Sequence, residues 1–224
     1  ATDLPERMAL ALVMVLLALI GGRVIPNFTR AFLAEQGRSE QPAPFSRFDG
    51  LSVVLVGIAA AAWTVQPQAM VTGGLLVGAG CVNLGRLLRW YGWVTWREPL
   101  VLTLHLGYGW LALSLLVLGC AILGWGLPTT DAVHAFTTGA VGVMTLAIMT
   151  RASLGHTGRP KHAGPLTVCI YILVNVGALL RVFGPSFDLS TNFVLGLAAL
   201  SWSGAYLLFA LFYGPFLLRP SIGE

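Results

Sequence analysis

Four histidines are the side chains here best suited to chemistry: His105, His134, His156 and His162. Each of the first three falls in or at the end of a long apolar run, where an imidazole is a candidate metal ligand or proton carrier because burying it without a partner is costly. His134 lies about one turn into the fifth run. His105 lies about two turns into the fourth run from the opposite side, and His156 follows the far end of the fifth. His134 and His156 are 22 positions apart, about 33 Å in a continuous helix, so they cannot ligate one iron or copper ion, and two separate sites, or one site and one structural role, are expected. His105 and His156 face the same side, at depths differing by about 10 to 15 Å, and a shared ligand there stays open. The plainer reading of each is a hydrogen bond to a neighbouring helix. His162, beside Lys161, is expected to be solvated.

The arginines are the second unusual feature. Arg23, Arg86 and Arg181 stand in apolar sequence, although a centrally placed arginine costs roughly 2.5 kcal/mol or more. Arg23, Arg86, Arg151 and Arg159 gather toward the rim that carries His105 and His156, where guanidinium groups can pair with haem propionates or another anionic ligand. Snorkelling to lipid headgroups is the competing explanation. Polar or small residues recur at helical spacing as His134, Thr138, Gly142, Thr145 and Met149, as Thr167, Tyr171 and Asn175, and as Asn192, Gly196, Ala199 and Ser203. These stripes are expected to face protein. Gly74 and Gly78 read as a close-packing pair. Cys81, Cys120 and Cys169 read as packing residues and not a disulfide framework, and no hydrolytic or phosphate-loop pattern is present.

The elements that must position these groups follow from composition. Of 224 residues, 56% are hydrophobic and 10% charged, against about 25% charged in an ordinary soluble domain. The apolar runs approach the roughly 20 residues needed to span a bilayer. They predict an all-α integral membrane bundle of about seven transmembrane helices in one domain over residues 1–224. The helices are expected near Met8–Leu33, Leu51–Val65, Ala69–Trp90, Pro99–Leu123, Ala132–Arg151, Leu166–Phe183 and Asn192–Leu217. Gly21, Gly22, Arg23 and Pro26 predict a kink or break in the first. With seven spans, only Arg7 and Arg181 fall on the N-terminal side. The remaining basic residues fall on the other, which makes the C-terminus cytoplasmic and the N-terminus periplasmic. The net charge of +4 is explained by this asymmetry, and nucleic acid is not an expected partner.

The segments Gly21-Gly22-Arg23-Val24-Ile25-Pro26, Phe28-Thr29-Arg30 and His105-Leu106-Gly107-Tyr108 resemble the NnrS family. So does the long block Arg151-Ala152-Ser153-Leu154-Gly155-His156-Thr157-Gly158-Arg159-Pro160. The resemblance implies a multi-pass protein of the bacterial inner membrane that binds haem, with copper as a second metal, and takes part in the response to nitric oxide and nitrosative stress. Under it, His105, His134 and His156 are the candidate metal ligands, and Arg23, Arg86, Arg151 and Arg159 the candidate propionate partners. Nitric oxide is the implied small-molecule ligand. Members of that family are longer, so the chain is expected to be a C-terminal part, with ligand partners in preceding helices or a second chain. Two other classes fit the composition. One is a transporter whose broken first helix lines an anion pathway. The other is a cytochrome b-like electron-transfer subunit, which needs two histidines per haem.

Overall fold

The computed structural model describes residues 3–126, 128–187 and 190–221, all helix and connection without a strand. Seven helices among them are long and apolar enough to cross a membrane: Leu4–Glu35, Arg47–Val65, Met70–Leu88, Pro99–Ile122, Thr129–His156, Pro165–Ser186 and Thr191–Leu217. Even the shortest, at 19 residues, is about 28 Å long and matches a hydrocarbon core of about 30 Å. The described residues form an all-helical bundle whose seven long helices have the length and composition of membrane spans.

Local chemistry sets the helix starts. Ser46 precedes the second helix, and its backbone N–H donates to Asp49 Oδ2 at 2.9 Å, the reciprocal arm of a capping box. Pro99 and Pro165 occupy first turns, where a missing N–H costs nothing. Glu98, just ahead of Pro99, accepts the Leu100 N–H at 3.2 Å.

The fourth helix is the axis of the bundle: 67% of its most apolar window is buried, against 22% for the seventh helix. It meets the third helix backbone to backbone. A Cβ on Gly119 would stand 2.7 Å from the Gly73 carbonyl oxygen and 2.8 Å from the Val77 nitrogen. Gly80 is equally tight, with a Cβ 3.0 Å from the Ala112 carbonyl. The close-packing face is therefore Gly73 and Gly80. The expected pair, Gly74 and Gly78, meets nothing within 4 Å; rotation by one residue turns it off the contact.

The first helix shows no break at Gly21, Gly22 or Pro26. It runs unbroken from Leu4 to Glu35 through Pro26. The glycines that suggested a break instead admit side chains from neighbouring helices. A Cβ on Gly21 would sit 3.1 Å from Tyr108 Cδ2, and one on Gly22 would overlap the Arg86 guanidinium, 2.1 Å from Nη2.

The fifth span contains a π-helical stretch, Ala135–Val141, directly after His134. There the Gly142 N–H reaches back to the Thr137 carbonyl, which leaves the Thr138 carbonyl without its α-helical donor. Trp202 Nε1 of the seventh helix supplies one at 3.2 Å, and Tyr206 Oη donates to the Gly142 carbonyl at 3.1 Å. The stripe through Thr138 and Gly142 thus seats the seventh helix. The stripe on the sixth helix is interhelical too. Thr167 bonds Tyr213, Tyr171 bonds Thr150 at 2.5 Å, and Asn175 Oδ1 accepts from Trp110 Nε1 at 3.0 Å. The third stripe differs, because Asn192, Gly196, Ala199 and Ser203 are exposed on the seventh helix.

Candidate functional site

Alternation of the helices carries eleven of the thirteen Lys and Arg residues to one end of the bundle, leaving Arg7 and Arg181 toward the other. Three clefts in that arginine-rich half contain four of the seven candidate residues, and no two of those clefts share a lining residue.

The first cleft, about 330 Å³, is lined by Phe28, Ile148, Arg151, Ala152, Gly155, His156 and Lys161. His156 is the last residue of the fifth span, and its exposed imidazole has no hydrogen-bond partner among the described residues. Arg151, a little over one turn earlier, is half-buried with its guanidinium 3.9 Å over the Phe28 ring. Such stacking holds the guanidinium plane while leaving its N–H edges free. One imidazole and two cations, Arg151 and Lys161, therefore converge at the end of the bundle.

The second, about 480 Å³, is almost wholly apolar and is bounded by Leu88, Trp93, Leu102, Leu106, Trp110 and Leu179, with His105 and Asn175 its polar groups. His105 is buried, and its Nδ1 lies 3.0 Å from the Val101 carbonyl oxygen, which selects the Nδ1–H tautomer. Its Nε2 lies 3.2 Å from Thr29 Oγ1, while that same hydroxyl donates to the Ile25 carbonyl at 2.9 Å. Gly92 closes over the ring; a Cβ there would come within 2.5 Å of His105 Cδ2. That turn is entered through Tyr91, whose φ of 56° places a bulky residue in the left-handed region.

The third, about 670 Å³, lies between the first helix and the connection that follows it, and includes Gly22, Arg23, Asn27, Arg30, Phe45, Asp49 and Trp90. Behind its wall is Arg86. Expected at the rim, it is instead fully buried and serves as a hub joining four helices. Its Nε donates to Asp49 Oδ1 at 2.9 Å, and its Nη1 donates to the Ala18 carbonyl and to Tyr108 Oη at 2.8 and 2.9 Å. Tyr108 Oη passes its own proton to Asn83 Oδ1 at 2.7 Å. The sequence pointed to Arg86 through its apolar surroundings. Asp49, its counter-ion, was missed because it looks like an ordinary helix-start residue.

The remaining candidates stand apart. Arg159 stacks 4.2 Å over Phe216 and donates to the Thr157 carbonyl at 3.4 Å. His134 is at the opposite end, near the Arg181–Asp131 ion pair of 2.9 Å, with its Nδ1 buried and unpartnered. His162 is exposed yet paired, its Nδ1 2.7 Å from Glu98 Oε2. The structure brings Arg151 to His156 and Arg23 to the wall in front of Arg86. It places His105, His134 and His156 in three different surroundings. No three His, Cys, Asp or Glu side chains among the described residues come together as a metal cluster.

No curated protein and no solved structure matches this chain. A family model described as NnrS protein matches residues 2–221, nearly the whole chain, and the unbroken Arg151–Pro160 block that lines the His156 cleft is part of that match. By that match the chain belongs to the NnrS family.

Proposed function

We propose that this chain is a haem-binding membrane protein of the nitric oxide response, with its haem at the cleft of His156, Arg151 and Lys161. The observation that carries the reading is the convergence in one cleft of two cations with an imidazole that has no partner among the described residues. The donor set fits the group: an imidazole nitrogen that would hold the iron, and a guanidinium and an ammonium that would pair with the propionates. Bound there, haem iron supplies a position at which nitric oxide can bind.

The chain's own residues do the rest. Arg151, fixed over Phe28, presents two parallel N–H groups to a carboxylate, and Lys161 supplies a mobile second charge. Arg23, Arg86 and Arg159 make their contacts elsewhere, so the propionate role is assigned to Arg151 alone of the four. His105, with its Nδ1–H held by a backbone carbonyl, has the orientation that metal-bound imidazoles use. It is the second candidate ligand, and Thr29 must yield its place at Nε2 for a metal to bind. Copper, for which the described residues offer only separated imidazoles at His105 and His134, would draw further ligands from another chain segment. We place the protein in the bacterial inner membrane, with the arginine-rich end in the cytoplasm.

Each rival reading loses one of its supports. The first helix is continuous, which removes the broken segment a transporter pathway was built on. His105 and His156 line different clefts, so bis-histidine ligation of one haem is not supported.

The test is an optical spectrum with iron and copper analysis of the purified protein. A Soret band is expected in the unmodified protein. It should be lost in His156→Ala, while Arg151→Gln lowers haem affinity about tenfold, the worth of one charge-assisted hydrogen bond. A colourless, iron-free protein, or unaltered haem content in His156→Ala, overturns the proposal.

A further inference from the structure

The cleft in front of Arg86 contains more positive charge than its one carboxylate can balance. Arg23, Asn27 and Arg30 follow at i, i+4 and i+7, one face of the first helix, and all three line the cleft. Among the described residues Arg23 has neither an acceptor nor an acidic partner, and its guanidinium lies 5.6 Å from the Phe45 ring centroid. Arg30 donates to two neutral oxygens, Asn27 Oδ1 at 2.9 Å and the Pro42 carbonyl at 3.5 Å, so its charge is oriented but not neutralised. The Asn27 amide nitrogen remains a donor.

Asp49 adds no spare negative charge. Its Oδ1 is taken by Arg86 Nε at 2.9 Å and its Oδ2 by Arg89 Nη1 at 3.3 Å, two cations on one carboxylate. Arg86 is 0% exposed, and its Nη2 is buried without an acceptor. That nitrogen packs against Gly22, and Gly22, Asp49 and Trp90, which surround the guanidinium, are all lining residues of the cleft. A fully buried, unsatisfied guanidinium N–H is costly, and it stands directly behind a wall whose other face presents two arginines without anionic partners.

We infer that this cleft is a binding site for a phosphate-type oxyanion. Several acceptor oxygens and a charge of at least one are what two guanidinium forks and an amide donor on one helix face recognise. The chemistry is shared by the phosphodiester of an anionic phospholipid and by free inorganic phosphate. The site shares no residue with the His156 cleft and does not depend on haem.

Native mass spectrometry of the full chain in detergent tests this with two probes, phosphatidylglycerol and inorganic phosphate. One molecule is expected to be retained per chain. The double variant Arg23→Gln/Arg30→Gln should weaken retention at least about tenfold, while Arg23→Lys/Arg30→Lys keeps most of it and shows that the fold survives. Arg219→Gln, at the same end but outside the cleft, should change nothing. Retention of the lipid alone identifies a headgroup site, and displacement of the lipid by inorganic phosphate identifies a site for the free ion. Retention of neither probe, or equal retention by the double glutamine variant, overturns the proposal.

Discussion

Asp49 does two jobs with one carboxylate. It completes the capping box that starts the second helix, and it is the counter-ion of a fully buried arginine. The pair is 0% and 4% exposed at its side chains, so little solvent screening applies. Removing one partner leaves an uncompensated buried charge, at a cost of about 3 to 5 kcal/mol. We therefore expect Asp49→Leu and Arg86→Met each to lower the melting temperature in detergent sharply. The double variant Asp49→Leu/Arg86→Met should recover a large part of the loss. Additive losses would mean that the two groups do not act as a pair. At this scale the sequence was a partial guide. It marked His105, His134, His156 and Arg86 as anomalous, because polar groups in apolar runs are visible one residue at a time. It could not say which share a cleft, since that depends on helix rotation. Arg151 and His156 line one cleft because both stand at the last turns of the fifth helix, whereas Arg86 and Asp49 are joined only by packing of the second helix on the third.

Among the elements, the tightest constraint is the crossing of the third and fourth helices. The Gly119 Cα faces backbone atoms of Gly73 and Val77, and backbone cannot turn aside as a side chain can. Gly119→Ala is expected to destabilise by about 1 to 3 kcal/mol, the usual range for overpacking, while Gly74→Ala and Gly78→Ala leave the melting temperature unchanged. The reverse order in a thermal melt would show the helices to be rotated. The π stretch of the fifth helix makes a second prediction. Trp202→Phe keeps the ring but leaves the Thr138 carbonyl unpaired, a loss of about 1 kcal/mol or more, and a variant as stable as the parent would show that water or another donor serves that carbonyl. Helix number and most boundaries were legible from run length alone, because a span needs about 20 apolar residues however it packs. The continuity of the first helix was not legible. Gly-Gly followed by Pro has the same sequence signature whether the glycines break a helix or make room for Tyr108 and Arg86.

For the molecule as a whole, charge asymmetry is the organising property. Cysteine accessibility in intact cells measures it directly, on a background lacking Cys81, Cys120 and Cys169. Gln68→Cys, between the second and third helices, should react with an impermeant reagent added outside. Glu40→Cys, between the first and second, should react only after the membrane is opened. The opposite pattern would invert the topology. The buried ion pair bears on how that topology is reached during synthesis. Asp49 and Arg86 are 37 residues apart on consecutive helices, and a guanidinium entering hydrocarbon alone pays a penalty of roughly 2.5 kcal/mol or more. Because its counter-ion sits on the helix made just before it, the arginine is expected to enter the membrane as half of a neutral ion pair, with the second and third helices inserting together.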